Sequence, residues 1–566
     1  MNTLLHRVPA TGLRAATTRH GLLLIAAVFV LAYAVPLPFH GLWIPDETRY
    51  AQISQEMLSS GHWAAPHFMG LRYFEKPAGG YWFLALGQAL FGQTLFGVRI
   101  ASAISLGLSG LLAYFLAGRL WPGGDKRLSC ALVYMSFGLI AGQAGYANLD
   151  PLFTLWVNAS LASLWFALAS SGRRQRRVGW ALVGAACALG FMTKGFLALL
   201  LPVLVAVPYM AWQRRLPELV SHGLIAVGVT LLLTLPWALA IHQQEADFWR
   251  FFFWHEHVRR FAADNAQHAR PLWFYLPILV ASSLPWALWL PKALAQGWQE
   301  RRSQSIAFLL LWFALPLAFF SLSRGKLPTY IMPCLLPLAL LIGHALVERL
   351  RAGASAWLRA NALFNLALGG AALLVLAGLQ LTRPLYVDEP LHLLLISLGL
   401  GVFVVANALA AMRPLRHPLT PALAMLALVA VLPAAAPRSI TDSETPDTFT
   451  AQHLDALREA HALASNELGA ASGLAWHTGR SDITLYNVTG EAQYGLGYPD
   501  AQGRAVDMDG INPWLARQRQ AGPVALLLRV RSQTDKRELA ILPTGATRYD
   551  RGEMTLLFYP RLPSTP

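Results

Sequence analysis

Apolar runs close to 20 residues long recur along most of this chain, and each is long enough to cross a hydrocarbon core of ~30 Å. Inside such a core the backbone has no water to bond, so the runs must be helices that satisfy their own amides and carbonyls. The bilayer-length criterion places about thirteen of them, near 21–38, 97–118, 128–144, 151–169, 178–193, 196–212, 222–241, 272–290, 305–322, 328–346, 357–381, 391–411 and 418–436. Hydrophobic residues fill 55% of the 566 positions and charged ones 13%. That composition excludes a disordered chain, a collagen-like repeat and a disulfide-rich secreted scaffold. The chain is predicted to be a polytopic α-helical membrane protein.

The 45 Lys and Arg against 30 Asp and Glu give a formal charge of +15. The basic residues sit in short clusters between apolar runs, the pattern of topology determinants, and no nucleic-acid partner is expected. With alternating spans, one side collects Arg7/Arg14/Arg19, Lys126/Arg127, Arg173/Arg174/Arg176/Arg177, Arg214/Arg215, Lys292/Arg301/Arg302, Arg349/Arg351 and Arg413/Arg416. The positive-inside rule makes that side the cytoplasm. The run after Arg19 is read as an uncleaved first span. Cys130, Cys187 and Cys334 all fall in apolar runs, so no disulfide framework is implied. An odd number of spans sends the segment 437–566 to the outer side. It offers a helical run at 449–463 and strand-like runs at 483–486, 524–530 and 556–559, separated by turn residues, and is expected to be a small α/β domain beside a membrane unit at 1–436. No internal repeat is apparent, which counts against a repeat-built transporter.

The outer connections carry the chemistry. The first, at 40–96, is long and not polar, and it opens a helix at Ile44-Pro45-Asp46-Glu47-Thr48-Arg49-Tyr50. Three/four spacing puts Asp46, Arg49 and Tyr50 on one face, with Ile53 and Met57 continuing below. Such a helix is expected on the membrane surface with its apolar side in lipid, which makes Asp46 a candidate catalytic carboxylate. Acids also suit any helix N-terminus, and that plain reading is preferred for Glu47. Tyr73-Phe74-Glu75-Lys76-Pro77 frames opposite charges with aromatics and leads into an amphipathic stretch at 80–91. Asp150 stands before Pro151 at a span mouth, where it would also suit a helix cap. Lys194 is a cation with no positive-inside reason for its place, its plain alternative being to snorkel to the headgroups. The stretch 249–271 interleaves aromatics with Arg and His, as an interface does; within it Arg259 and Arg260 are candidate anion clamps. His255 and His257, with Glu75, are candidate ligands for a divalent metal. Ser323-Arg324-Gly325-Lys326-Leu327-Pro328-Thr329-Tyr330 adds Lys326 and Tyr330 at the edge of the membrane.

These groups gather at span ends on one face, whereas a pump keeps them at mid-span. Neither a P-loop nor a Rossmann glycine fingerprint is present, so nothing indicates a nucleotide. A donor linked to a lipid phosphate and reached from the membrane fits both facts. Asp46-Glu47, Tyr73-Phe74-Glu75-Lys76-Pro77 and Asn148-Leu149-Asp150-Pro151 resemble polyprenyl-phosphate-dependent glycosyltransferases of the C-type fold, a group that includes the protein O-mannosyltransferases. More closely, the chain resembles the bacterial 4-amino-4-deoxy-L-arabinose transferases of lipid A, which confer polymyxin resistance. Met192-Thr193-Lys194-Gly195, Glu256-His257-Val258-Arg259-Arg260-Phe261, Gln267-His268, Lys326-Leu327-Pro328-Thr329-Tyr330, Ser481-Asp482-Ile483 and Gly490-Glu491-Ala492-Gln493-Tyr494-Gly495-Leu496 carry that likeness across almost the whole chain.

The resemblance implies transfer of aminoarabinose from undecaprenyl phosphate to a lipid A phosphate by a multi-pass enzyme of the bacterial inner membrane. It also implies interfacial helices in the first loop, a periplasmic active site and a C-terminal periplasmic domain. Expulsion of polyprenyl phosphate calls for cations, for which Lys76, Lys194, Arg260 and Lys326 are candidates. Asp46, Glu75, Lys76 and Asp150 are the candidate catalytic residues. Arg49, Tyr50, Tyr73, Lys194, Arg259, Arg260, Lys326 and Tyr330 are candidates for binding substrate. Two alternatives stay open: another lipid-linked sugar transferase, such as a protein O-mannosyltransferase-like enzyme, and a polyprenyl-lipid transporter.

Overall fold

The structure, a computed structural model, describes residues 20–254 and 269–563. Among the described residues seven helices are long and apolar enough to cross a membrane, or eight if the bent pair Thr420–Ala435 and Arg438–Glu444 is one span. His20–Ala34, Leu197–Trp212 and Leu272–Ser282 are shorter apolar helices. Every apolar run in the sequence contains helix, but two of the runs are broken. The run at 128–144 divides at Phe137 into Arg127–Ser136 and Gly138–Ala144, with Phe137 extended at ψ 128°. The freed Gly138 amide donates to the Leu284 carbonyl at 2.8 Å. The run at 272–290 stops at Ser282, three residues before Pro285, and helix resumes at Trp289–Gln299; proline and the residue before it both disfavour helix.

Within the bundle, Pro328–Arg351 is the central rod, with 94% of its apolar window buried, whereas Leu216–Gln244 and Ala356–Thr382, at 17%, present most of their side chains outward. The two ends are chemically distinct. At one, Lys126 meets Glu348 at 2.6 Å, His344 meets Glu300 at 2.8 Å, and Arg351 pairs with Asp125. Asp150–Ala169 and Arg173–Lys194 run the length of the bundle, carrying Arg176 and the Arg215-bonded Leu168 carbonyl at this basic end and Asp150 and Lys194 at the other. Lys126, Arg176, Arg215 and Arg351 thus gather at one end of the bundle.

At the far end, the first loop folds as two helices, Asp46–Ser60 and Gly79–Phe91, joined by an antiparallel hairpin of β1 (His67–Phe68) and β2 (Leu71–Arg72). Gly79–Phe91 exposes Leu86, Leu90 and Phe91, as a helix lying on a bilayer would. Asp46–Ser60 differs from expectation. Ile53 and Met57 are buried in a core shared with Leu463, Ala471 and Leu474, so protein rather than lipid covers its apolar side. The covering helix is Leu468–Thr478, whose small residues Gly469, Ala470, Ser472 and Gly473 allow a close approach.

That helix belongs to a six-stranded sheet of order β5-β4-β3-β6-β8-β7. The strands are β3 (Ala462–Ser465), β4 (Thr484–Tyr486), β5 (Ala505–Val506), β6 (Val524–Arg529), β7 (Thr547–Arg551) and β8 (Met554–Tyr559). β3 to β6 pair in parallel, and β8 and β7 add antiparallel. Helices Leu468–Thr478, Ile511–Ala521 and Gln533–Ala540 complete an α/β arrangement. The helical run expected at 449–463 is corrected: it forms two short helices, Asp447–Gln452 and Leu454–Glu459, and then β3. Leu463 sits fully buried in a strand paired on both sides, and that ladder overrides its local helical pattern.

Candidate active site

A cavity of ≈ 480 Å³ lies where the first loop, the mouths of the spans and the sheet domain meet. Asp46, Arg49, Tyr50, Tyr73, Glu75, Lys76, Asp150, Lys194, Lys326 and Tyr330 all line it, joined by Asn148, Leu197, Phe319, Phe320, Ser323 and Glu491. Residues as far apart in sequence as Asp46 and Glu491 thus converge on one space. His255, His257, Arg259 and Arg260, like Arg7, Arg14 and Arg19, lie outside the described residues. Among the described residues no three His, Cys, Asp or Glu side chains gather as a metal centre would need.

The helix Asp46–Ser60 aims its first turn into the cavity. Arg49 Nη2 donates to Asp46 Oδ1 at 2.5 Å, and the guanidinium lies 5.0 Å from the centre of the Tyr50 ring. Its other terminal nitrogen donates to Glu491, whose Oε2 also accepts from the Tyr73 hydroxyl at 2.9 Å. Burial holds the Tyr50 and Tyr73 phenols above their ordinary range, with the Arg49 charge opposing the rise, so both stay protonated donors. Lys76 Nζ donates to the Glu75 carbonyl at 2.8 Å and stands 4.0 Å from the Glu75 carboxylate.

Asp150 opens the helix Asp150–Ala169, but its carboxylate makes no cap; it accepts from Lys194, so the capping and snorkelling readings both give way to an ion pair. The Asp150 amide is held instead by Asn148 Oδ1 at 2.9 Å. Lys194 Nζ also lies 5.2 Å from the Tyr330 ring centre. Lys326, also lining the cavity, is buried, donating to the Arg270 carbonyl at 2.9 Å and to the Ser323 carbonyl. Burial holds its ammonium below the ordinary lysine value. Glu47 faces away from the cavity into a fully buried pair with Arg99. Burial raises its carboxyl, and the Arg99 charge more than offsets this, leaving it below the ordinary glutamate value.

In the sequence Glu491 and Ser323 stand inside motifs without any sign of a place in the site, and Phe319 and Phe320 read only as part of an apolar run. The turn that carries Glu491 also anchors the 245–254 segment. The Tyr494 hydroxyl donates to Asp247 at 2.7 Å, Tyr498 donates to the same carboxylate, and Arg72 joins Glu245 at 2.8 Å to Asp500 at 2.7 Å. Four carboxylates and four cations surround a space with an apolar wall of Leu197, Phe319 and Phe320. Cations, acceptors and greasy surface in one cleft suit a substrate with a phosphate, a polar group and an apolar tail.

Comparison with known proteins agrees with this chemistry. The family model described as "Arabinosyl transferase ArnT, C-terminal domain" matches residues 441–558, and the one described as "Dolichyl-phosphate-mannose-protein mannosyltransferase" matches residues 19–252. A Pseudomonas aeruginosa protein named undecaprenyl phosphate-alpha-4-amino-4-deoxy-L-arabinose arabinosyl transferase is 60% identical over 541 residues, covering 96% of this chain and 98% of its own. A Pseudomonas fluorescens protein of that name, numbered 2, is 58% identical, covering 96% and 93%. The crystal structure of ArnT from Cupriavidus metallidurans bound to undecaprenyl phosphate superposes with a TM-score of 0.80 at 25% identity, covering 96% of this chain and 98% of that one.

Proposed function

Because the chain belongs to the undecaprenyl phosphate-α-4-amino-4-deoxy-L-arabinose arabinosyl transferase family, a group of membrane glycosyltransferases of the C-type fold, we propose that it transfers 4-amino-4-deoxy-L-arabinose from undecaprenyl phosphate to a phosphate of lipid A. The reaction belongs at the periplasmic face of the bacterial inner membrane. The observation that carries this reading is the cavity, where Lys76, Lys194 and Lys326 stand beside an apolar wall at the end of the bundle opposite the basic loops. We assign 1–436 as the transferase unit and 437–566 as an outer domain that contributes Glu491.

A phosphate oxygen of the acceptor forms its bond to the anomeric carbon as the bond to the polyprenyl phosphate oxygen breaks, and that electron pair leaves on the phosphate. A single displacement inverts the anomeric centre. Charge growing on the leaving group needs preorganised cations; Lys76 is the first candidate, with Lys194, Lys326 and Arg260 alongside. The acceptor phosphate is ionised near neutral pH and needs no proton removed. Asp46, tied to Arg49 at 2.5 Å, therefore orients the acceptor or holds the sugar ammonium and does not act as a strong base. Asp150 holds Lys194, and Tyr50 and Tyr73 present neutral hydroxyls to the sugar.

The test is transfer by purified protein in lipid nanodiscs, with undecaprenyl-phosphate aminoarabinose as donor and lipid A as acceptor. An aminopentose on lipid A phosphate supports the reading; an intact, folded protein that leaves lipid A unchanged refutes it.

A further inference from the structure

Glu47 and Arg99 form a densely bonded charged pair on this face, and neither lines the cavity. Both are fully buried. Glu47 Oε1 accepts from Arg99 Nε at 2.8 Å and from the Ala147 amide at 2.7 Å. Oε2 accepts from Arg99 Nη2 at 2.7 Å and from the Trp43 amide at 3.0 Å. The guanidinium spends its other donors on the carbonyls of Leu37 at 2.6 Å, His40 at 2.8 Å and Gly41 at 2.6 Å.

The two amides lead into the two acidic loops of the site. Trp43 lies three residues before Asp46, and Ala147 three before Asp150. One carboxylate thus binds both loops, one per oxygen, and Arg99 fastens it to the N-terminal part of the helix Leu95–Leu120. We propose that Glu47 is a positioning residue, which through the Trp43 and Ala147 amides sets the spacing between Asp46 and the Asp150–Lys194 pair. This inference rests on the proposed reaction for its kinetic consequence alone. The clip itself is a property of the fold.

A buried pair also stabilises, so the test must separate position from stability. Glu47→Gln leaves the Arg99 charge buried and unpaired, which is strongly destabilising, whereas removing both charges relieves that penalty. In Glu47→Gln/Arg99→Gln the thermal midpoint is expected to recover above that of Glu47→Gln. The two amides bond separate oxygens of Glu47; in Gln an NH2 donor takes the place of one of them and cannot accept from the amide there, so the clip is broken. Turnover per folded molecule in nanodiscs is expected to stay down by about 10²-fold, the cost of an ångström-scale misplacement of reacting groups, with donor KM unchanged.

Amide hydrogen exchange gives a readout that needs no turnover. Peptides covering 40–50 and 144–150 are expected to exchange faster in the double variant, while those of β3 and β6 keep their rates. Recovery of kcat together with the thermal midpoint would reduce the pair to a structural role and overturn the proposal, and so would unchanged exchange at 40–50 and 144–150. If the unmutated chain transfers nothing, the proposed function fails, and the exchange data still decide whether Glu47 clips the loops.

Discussion

Gly469→Ala is a single-methyl change outside the cavity that should cost activity. A Cβ at Gly469 would stand 2.7 Å from Ile44 Cβ and 2.8 Å from Pro45 Cα. Carbon atoms settle at about 3.5–4.0 Å, so the helix Leu468–Thr478 and the 44–45 turn must part by about 1 Å. Neither contact atom is the tip of a flexible side chain, and Pro45 is bonded to Asp46, so the displacement reaches the site. Overpacking of this kind costs about 1–3 kcal/mol, and an ångström of misplacement costs about 10²-fold in rate. The assay is aminoarabinose transfer per folded protein in nanodiscs, beside thermal unfolding. Gly473→Ala is the comparison: its Cβ would meet Thr48 Cγ2 at 3.3 Å, a contact that a few tenths of an ångström relieves, and it should keep most of the activity. A folded Gly469→Ala with full turnover would refute the idea that the C-terminal sheet domain sets the place of Asp46.

Lys76→Ala should lose about 10²–10³-fold in kcat if it stabilises the leaving phosphate; a rise in acceptor KM with kcat intact would assign it elsewhere. Lys326 offers a pH test, because burial lowers its pKa. Its charge is present below that depressed value and lost above it, so turnover should fall on the alkaline side before an ordinary lysine titrates, and Lys326→Arg should remove that limb. An alkaline limb unchanged in Lys326→Arg would clear Lys326 of the role. Tyr494→Phe and Tyr498→Phe each remove a bond to the Asp247 carboxylate, worth about 1.5–3 kcal/mol. Those bonds, working against burial, hold the Asp247 pKa below its ordinary value. Their contribution is therefore full above that ordinary value and is lost as pH falls through the depressed one. The double variant should show a weaker acid dependence of unfolding, and an unchanged one would contradict the anchoring.

Local signals made the apolar helices and much of the cavity lining legible. Hydropathy located the apolar helices of the bundle because a bilayer imposes length and polarity on each one alone. It did not foresee the breaks at Phe137 and Pro285, the first of which is set by the Leu284 carbonyl from another segment. The face shared by Asp46, Arg49 and Tyr50 followed from helical spacing, and the Asp46–Arg49 bond and common cavity agree with it. Lys194 stood out as a misplaced cation, but its partner Asp150 is 44 residues away. Glu47 reads from sequence as a helix-start acid; only the fold brings Arg99 to it from 52 positions on. Likewise Leu463 joined β3 because β4 and β6 flank it, a long-range fact that no local pattern carries.

The central claim is most directly tested by mass spectrometry of lipid A from a bacterium that lacks its own aminoarabinose transferase, with the donor pathway switched on. The strain carries either this chain or its Asp46→Asn form, each verified in the membrane. The account predicts an added aminopentose on lipid A phosphate, with polymyxin resistance, for the unmutated chain and neither for Asp46→Asn. Unmodified lipid A with folded, unmutated protein would contradict the proposed reaction, and equal modification by both forms would remove Asp46 from it.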